Sequence, residues 1–169
     1  GSLSNFAGGI LILILKPFVV GDYVSACGCE GTVAVISLFY TTLHTVDNRN
    51  VVLPNGSLSN SNITNYSANE IRRVDMSVDV GYGSDLKKAR EVIMDILNQD
   101  ERILKDPAPV VAVDNLGDSG VNVLIRPWVR CEDYWAVKWS VLEAVHDRLN
   151  AEQIDIPFPQ MTVHLDQNS

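Results

Sequence analysis

The chain has 169 residues, 46% hydrophobic and 20% charged, which suits one large domain or two small ones and excludes an intrinsically disordered composition. Its formal net charge of −8 argues against a nucleic-acid-binding protein, because such proteins need a basic face to neutralise phosphates. Its three cysteines, Cys27, Cys29 and Cys131, make an odd number without a disulfide framework, which favours a reducing compartment.

The first predicted element is a helix within Gly1 to Phe18, a stretch in which Lys16 is the only charge. Small residues fill its first half, and an apolar run, Ile10 to Leu15, fills the second. A bilayer needs roughly 20 consecutive apolar residues, so this amphipathic segment is too short to span one. We expect either a helix at the membrane interface or the second half of a longer membrane helix whose first half precedes this sequence. An ordinary buried helix is the alternative.

Strand-forming residues follow from Val19 to Leu53, and they predict a small five-stranded, Sm-like β-barrel. The run from Thr32 to Thr45 is apolar on both alternations, so we expect a strand covered on both faces by a closed barrel or a neighbouring subunit. Pro54-Asn55-Gly56 predicts a tight turn, and the stretch from Ser57 to Asn69 predicts an edge strand and a linker.

The Cys27-Gly28-Cys29 segment invites comparison with a zinc site. Structural zinc sites normally combine two such pairs, and the three histidines, His44, His146 and His164, are scattered among unrelated elements. We therefore interpret the segment as a turn between strands and predict neither a metal nor a cofactor.

A second unit begins near Val74, where apolar and polar residues alternate as in a half-buried strand. The expected order is strand, helix, strand pair, helix and final strand, which is the ferredoxin-like β-α-β-β-α-β pattern. The predicted inner faces of the two helices are Ala89, Ile93, Ile96 and Leu97 in the first, and Trp135, Trp139, Leu142, Val145 and Leu149 in the second. The predicted strand pair comprises Val110 to Leu116 and Val121 to Val129, and Pro127 indicates that the second strand ends near an edge.

The last predicted strand, Gln160 to Leu165, follows two prolines, Pro157 and Pro159. Proline fixes φ and restricts the preceding residue, so the strand should project away from its own domain. Its alternating apolar residues, Met161, Val163 and Leu165, would then need cover, and copies of the same strand are the simplest source. The fold class is thus α+β, with four parts: a helix at 1–16, a β domain at 17–67, an α/β domain at 68–155 and a tail at 156–169.

Three segments together resemble the bacterial small-conductance mechanosensitive channels. They are GSLSNFAGGILILILKPFVVGDYV, GTVAVISLFYTTLHTVDNRNVVLPNGSLSNSNITNYS and IPFPQMTVHL, and the likeness extends over essentially the whole chain. The resemblance implies that Gly1 lies where the family's pore helix bends, so that the pore-lining half and two earlier helices would be absent. It implies helix hinges at Gly1, Gly8 and Gly9, and seven subunits that form a pore and a hollow cytoplasmic cage. The last strands would form an intersubunit parallel β-barrel.

The resemblance also implies where the gating machinery lies. Asn5 and Leu3 are expected to contact the top of the β domain near Phe18 or Asn55, tying the helix to the cage. The residues expected at the membrane interface are Phe6, Leu11, Leu13, Leu15 and Lys16. Val19 and Val20 depart from the family pattern, in which at least one of these two positions is expected to carry a basic side chain that faces lipid headgroups.

The expected partners are other copies of the chain in a heptamer, membrane lipid at the N-terminal helix, and permeating ions and small solutes. The expected location is the bacterial inner membrane, with this chain mostly on its cytoplasmic side. The alternative is a soluble oligomeric module that binds RNA or a small ligand, a reading that rests on fold analogy alone. We predict no enzymatic activity, because no nucleophile has a base at recognisable spacing and the GYGSD segment only weakly imitates a phosphate-binding loop.

Overall fold

The computed structural model describes residues 1–166 of the chain. The chain divides into two compact units, one from Gly1 to Glu70 and one from Ile71 onward, and each has its own hydrophobic core. The first unit consists, in chain order, of α1 (Ser2–Leu15), β1 (Tyr23–Ala26), β2 (Cys29–Ile36), β3 (Tyr40–His44), β4 (Asn50–Pro54), α2 (Asn55–Ser59) and β5 (Ile63–Asn65).

The five strands of the first unit form one antiparallel sheet in the order β4-β3-β2-β1-β5. Their inward side chains and one residue of α1 make the core, which comprises Ile12, Phe18, Val24, Ala26, Val33, Leu43, Leu53 and Leu58. The predicted turn at Cys27-Gly28 joins β1 to β2, and both residues have positive φ, 51° and 74°. The predicted edge strand is confirmed as β5, which pairs only with β1 within the described residues.

Two predictions for this unit are wrong. The run from Thr32 to Thr45 is two strands, because the Ser37 amide and hydroxyl both donate to the Tyr40 carbonyl and close a turn at 37–40. Pro54-Asn55-Gly56 does not form a tight turn: the short helix α2 begins at Asn55, and Pro54 precedes it in an extended conformation. In the single chain β2 and β3 bury one face, with Val33, Thr41 and Leu43 inside and Val35 and Tyr40 exposed.

The second unit consists of β6 (Ile71–Arg73), β7 (Met76–Val80), α3 (Leu86–Gln99), β8 (Val110–Leu116), β9 (Val121–Arg126), β10 (Trp128–Arg130), a 3₁₀ turn (Cys131–Asp133) and α4 (Tyr134–Ala151). Its main sheet has the order β7-β9-β8 with antiparallel neighbours. Strands β7 and β8 are therefore parallel, joined by α3, with β9 between them, which is the split arrangement of ferredoxin-like folds. The core between this sheet and the two helices includes Val80, Ile93, Leu97, Val123, Ile125 and Val145.

The predicted strand from Val121 to Val129 is divided at Pro127. Proline lacks the N–H that a continuing ladder needs, and β10 turns away to pair with β6 in a separate two-stranded sheet. The part before Pro127, β9, lies at the centre of the main sheet, whereas the end of the predicted strand, β10, is an edge strand, as Pro127 indicated.

The predicted inner face of α4 is also largely wrong. The helix buries Val137, Val141, Val145 and Leu149, one residue per turn, whereas Trp135 and Trp139 are 48% and 64% exposed and Leu142 is exposed as well. The two indole rings lie 5.8 Å apart and the Lys138 Nζ lies 5.4 Å from the Trp135 ring, so these large side chains cover one another on the surface. Their large apolar surface led to the prediction that the tryptophans are buried, but the smaller valines fit against the sheet.

The tail after α4 makes no strand within the described residues. Its first part packs on the unit, since the Gly81 amide donates to the Asp155 carbonyl and the Gln160 amide donates to the Ser119 hydroxyl. Residues 160–165 pair with no strand of the same chain, so the fourth strand of the ferredoxin-like pattern is missing here. The apolar residues predicted to face a barrel, Met161, Val163 and Leu165, are all exposed.

Candidate functional site: the contact of α1 with α2

The helix α1 lies against α2 through three glycines with no room for a side chain. A Cβ added at Gly8 would overlap the Asn55 carbonyl, and one added at Gly9 would overlap the Leu38 carbonyl. From the other side, a Cβ added at Gly56 would lie 2.5 Å from the Ser4 hydroxyl. Backbone meets backbone here, which only glycine permits. The helix continues through Gly8 and Gly9 without a break.

One hydrogen bond joins the two helices at this contact. The Gly56 amide donates to the Asn5 Oδ1 at 3.0 Å. The amide belongs to the first turn of α2, where backbone N–H groups have no partner within the helix. Asn5 therefore satisfies a donor that would otherwise need water, and it does so across 51 positions of sequence.

Asn55 holds the other side of the contact in place. It is fully buried, and its Oδ1 accepts from the Thr41 hydroxyl at 2.8 Å. Its Nδ2 donates to the Ser37 carbonyl at 2.8 Å and to the Leu38 carbonyl at 3.1 Å. The side chain thus fixes α2 to the turn between β2 and β3, so that the surface facing Gly9 is rigid. Removing a buried amide that satisfies three groups costs about 1 to 3 kcal/mol for each group left unpaired.

The structure brings together only some of the residues predicted for the helix-to-β contact. Asn5 and Asn55 lie on either side of it. Leu3 is 81% exposed and lies outside it, and Phe18 is buried in the core of the β sheet beyond the end of α1.

Sequence reasoning missed Gly56, Leu38 and Phe39, although the proximity of Gly56 to Asn55 was an available signal. The Phe39 ring lies 6.1 Å from the Phe6 ring, so Phe6 is held partly by its own chain.

The remaining residues predicted for the membrane interface occupy the outer face and the end of α1. Leu11, Leu13 and Leu15 are exposed, whereas Ile12 between them is buried against the β sheet. Lys16 ends the helix in the left-handed conformation, with φ of 47°, and its amide donates to the Ile12 carbonyl. Within the part of the chain that the structure describes, no helix is both long enough and apolar enough to cross a bilayer.

The contact is electrically neutral, and the shifted carboxyl groups lie elsewhere. Hydrogen bonds from Arg73 hold the pKa of Asp75 below its ordinary value, and hydrogen bonds from Arg102 do the same for Asp100. Burial raises the pKa of the Cys131 thiol. Among residues 1–166, no three His, Cys, Asp or Glu side chains come together as a metal site would require. The contact consists of backbone groups and neutral amide side chains.

Comparison with known proteins agrees with the division of the chain into two compact units. Residues 1–68 match the family described as the mechanosensitive ion channel β-domain. Residues 74–156 match the family described as mechanosensitive ion channel MscS, C-terminal. The two matches follow one another in the order expected of one protein. The chain belongs to the MscS family.

Relatives in the MscS family match almost the whole chain. An MscS family protein of Synechocystis is 42% identical over 99% of this chain and 56% of its own length. The small-conductance mechanosensitive channel of Edwardsiella ictaluri is 41% identical over 99% of this chain and 58% of its own length. The chain thus spans little more than half the length of these relatives.

A solved MscS structure has the same fold. The crystal structure of Helicobacter pylori MscS in its closed state superposes with a TM-score of 0.92 at 36% identity, covering 98% of this chain and 66% of that one. The predicted α+β fold class is confirmed by this match together with the strand and helix order.

Proposed function

We propose that the chain forms the end of the pore helix and the cytoplasmic cage of a tension-gated, weakly selective channel. The channel releases ions and small osmolytes on hypo-osmotic shock. Membership of the MscS family supports this proposal over a soluble module that binds RNA or a small ligand. The observation that carries it is the hydrogen-bonded, glycine-packed contact between α1 and α2.

The contact suggests how tension at the membrane reaches the β domain. Opening enlarges the area of the channel in the membrane plane, so tension shifts the equilibrium between closed and open states as a ligand does. The proposed hinges differ in their surroundings. Gly1 has free space around it, whereas Gly8 lies against the Asn55 carbonyl of α2 and Gly9 lies against the Leu38 carbonyl in the turn between β2 and β3. Bending at Gly8 or Gly9 then requires the contact with Asn55 and Leu38 to open, which couples the helix to the cage.

Assembly of the cage is the second part of the proposal. Copies of the chain form a ring, with seven as the expected number, and a closed ring joins two different faces of each subunit. The exposed apolar residues of the tail, Met161, Val163 and Leu165, line a parallel barrel built from one segment of each copy. The part at 1–16 then serves as the interfacial helix, the parts at 17–67 and 68–155 as the wall of the cage, and the part at 156–169 as the barrel. The ring stands on the cytoplasmic side of the bacterial inner membrane, with the outer face of α1 against lipid.

The test is to record currents from patches containing the full-length channel with Asn5→Ala. The closed-state structure of H. pylori MscS resembles this chain closely, so we take the docked position of α1 to be non-conducting. Loss of one hydrogen bond of about 1 kcal/mol should shift the equilibrium away from the docked position about fivefold in each subunit. We expect slower closing and weaker inactivation.

Asn60→Ala is the matched control, because the Asn60 Nδ2 donates to the Gly56 carbonyl within α2 and does not reach α1. Asn5→Asp keeps an oxygen that can accept from the Gly56 amide and should retain more of the normal closing. Recordings in which Asn5→Ala closes and inactivates like the wild type would refute the coupling.

A further inference from the structure

Two exposed valines follow α1 in a tight turn between the helix and the β sheet. Phe18 is buried, and the next residues, Val19 and Val20, are 47% and 59% exposed. The Asp22 amide donates to the Val19 carbonyl at 3.1 Å, which closes a β-turn. Gly21 occupies its third position with φ of 99°, where glycine is strongly favoured. Val19 and Val20 are thus the first two residues of this turn.

The turn is held rigidly by the sheet behind it. The Gly21 amide donates to the Val33 carbonyl, and the Val33 amide donates to the Asp22 carbonyl, both at 2.8 Å. The Asn65 Nδ2 donates to the Pro17 carbonyl at 3.1 Å and to the Asp22 Oδ2 at 2.9 Å. Both flanks of the two valines are therefore fixed, and their display requires little further ordering on binding.

Both backbone polar groups of Val19 are paired within the turn. The Val19 amide donates to the Asp22 Oδ2 at 3.0 Å, and the Val19 carbonyl accepts from the Asp22 amide. An unpaired backbone group costs free energy when it leaves water. Pairing of both Val19 groups removes part of that cost for an apolar tip entering a membrane surface.

The surface around the turn is apolar and carries little charge. Lys16 and Asp22 are the only charged side chains among residues 1–22, and the Asp22 carboxylate accepts hydrogen bonds from the Val19 amide and from Asn65. The last turn of α1 adds exposed apolar side chains at Ile14 and Leu15, immediately before the valines in the chain. Interfacial helices that bind through anionic lipid carry many Lys and Arg side chains on their polar face, and α1 has none within Ser2–Leu15.

We propose that the Val19–Val20 turn is a lipid anchor that enters the headgroup region of the bilayer, and that it binds through apolar contact without needing anionic lipid. The partner is a lipid surface, including a purely zwitterionic one. The inference rests on the proposed function only in placing the outer face of α1 at the membrane. The net charge of −8 supports the choice of lipid, because the chain as a whole is repelled by an anionic surface.

The test is flotation of the 169-residue chain with vesicles of phosphatidylcholine alone and of phosphatidylcholine mixed equally with phosphatidylglycerol, each at low and high salt. Wild-type chain should float with both, and salt should change the bound fraction little. Val19→Ser combined with Val20→Ser should lower partitioning onto phosphatidylcholine about tenfold, because apolar groups that the membrane would cover are lost. Lys16→Gln should change it far less.

Val46→Ser is the matched control, since Val46 is also exposed but lies in the turn between β3 and β4. Circular dichroism and sedimentation velocity on each variant establish that fold and mass are unchanged. The proposal fails if the double variant floats like the wild type, if the wild type needs phosphatidylglycerol, or if the double variant changes the oligomeric mass. A channel that gates normally while its chain ignores neutral vesicles would overturn only this inference, whereas valine-dependent binding without tension-gated currents would overturn only the proposed function.

Discussion

Two helices of equal length, α1 and α3, are held by different kinds of contact. Each has 14 residues. Asp85 caps the start of α3, because its carboxylate accepts from the Lys88 amide. The helix buries five apolar residues, Ala89, Val92, Ile93, Ile96 and Leu97. The helix α1 has no side-chain cap and buries Gly8, Gly9 and Ile12.

The difference concerns which changes each helix tolerates. Burial of α3 is distributed over several side chains, so its attachment depends on volume and weakens when atoms are removed. Attachment of α1 depends on close approach of its backbone to Asn55 and Leu38, so it weakens when a single methyl group is added. A helix held in this way can be released by a small displacement, which fits the hinge motion proposed for α1.

The largest expected effect is the loss of stability when a buried side chain of α3 is shortened. Ile93→Ala should lower the free energy of unfolding of the second unit by about 2 to 5 kcal/mol, because Ile93 is fully buried and a cavity would remain. Ile93→Val, which removes one methylene, should cost about 0.5 to 1.5 kcal/mol. Hydrogen exchange of amides in α3 and β9 measures both. Equal effects of the two variants would show that α3 is not held by its packed volume.

The second prediction concerns the backbone contact of α1. Gly9→Ala should weaken the attachment of α1 by about 1 to 3 kcal/mol through overlap with the Leu38 carbonyl. Intrinsic helix propensity would change in the opposite direction by about 1 kcal/mol, so a net loss is diagnostic of the contact. Exchange of the Gly56 amide, which donates to Asn5, reports the attachment.

Gly1→Ala is the control for this prediction, because a Cβ at Gly1 meets nothing within 4 Å. It should lower the protection of the Gly56 amide less than Gly9→Ala does, because Gly1 precedes the helix as its N-cap and does not overlap the β domain. If the Gly56 amide of the Gly9→Ala variant is protected as well as in the wild type or better, the helix shifts without cost. Its contact with α2 is then not the constraint described here.

The sequence predicted most of the elements, because their signals are local. Alternation in Val74–Val80 and helical spacing from Ala89 to Leu97 identify β7 and α3, and both arrangements bury the expected residues. The Cys27-Gly28 turn follows from glycine chemistry. The sequence did not predict which face of a helix is buried when two faces are apolar, as α4 shows. Both its tryptophans and its valines have helical spacing, and only the space beneath the helix selects the valines.

The candidate site could be predicted only in outline. The resemblance placed Asn5 and Leu3 near Phe18 or Asn55, and only Asn5 and Asn55 lie at the contact. The backbone partners of Gly8 and Gly9 could not be read from the sequence, since a carbonyl oxygen is common to every residue. The turn at 37–40 that places Leu38 beside Gly9 also depends on Ser37 bonding to Tyr40, and the apolar pattern predicted an uninterrupted strand there.

The smallest predicted effect is a difference in pH dependence between the two helices. Asp100, which follows the last residue of α3, accepts two hydrogen bonds from the Arg102 guanidinium and one from the Arg102 amide, and these bonds lower its pKa. The Arg102 guanidinium also donates to Ser140 of α4. Because the folded-state pKa lies below the unfolded one, this pair stabilises the fold above the ordinary carboxyl pKa, and the contribution is lost as pH falls through the lower folded value. Its exposure limits the gain to about 1 kcal/mol or less. Asp100→Asn should therefore flatten part of the acid dependence of α3 amide protection, with Asp75 and its partner Arg73 supplying another part.

The Gly56 amide donates to a neutral side chain and should keep its protection free energy over the same pH range, after correction for intrinsic exchange. If the protection of Gly56 fell in parallel with that of α3, a titrating group would have to act on the α1–α2 contact, and the neutral, backbone-to-backbone description of that contact would be wrong.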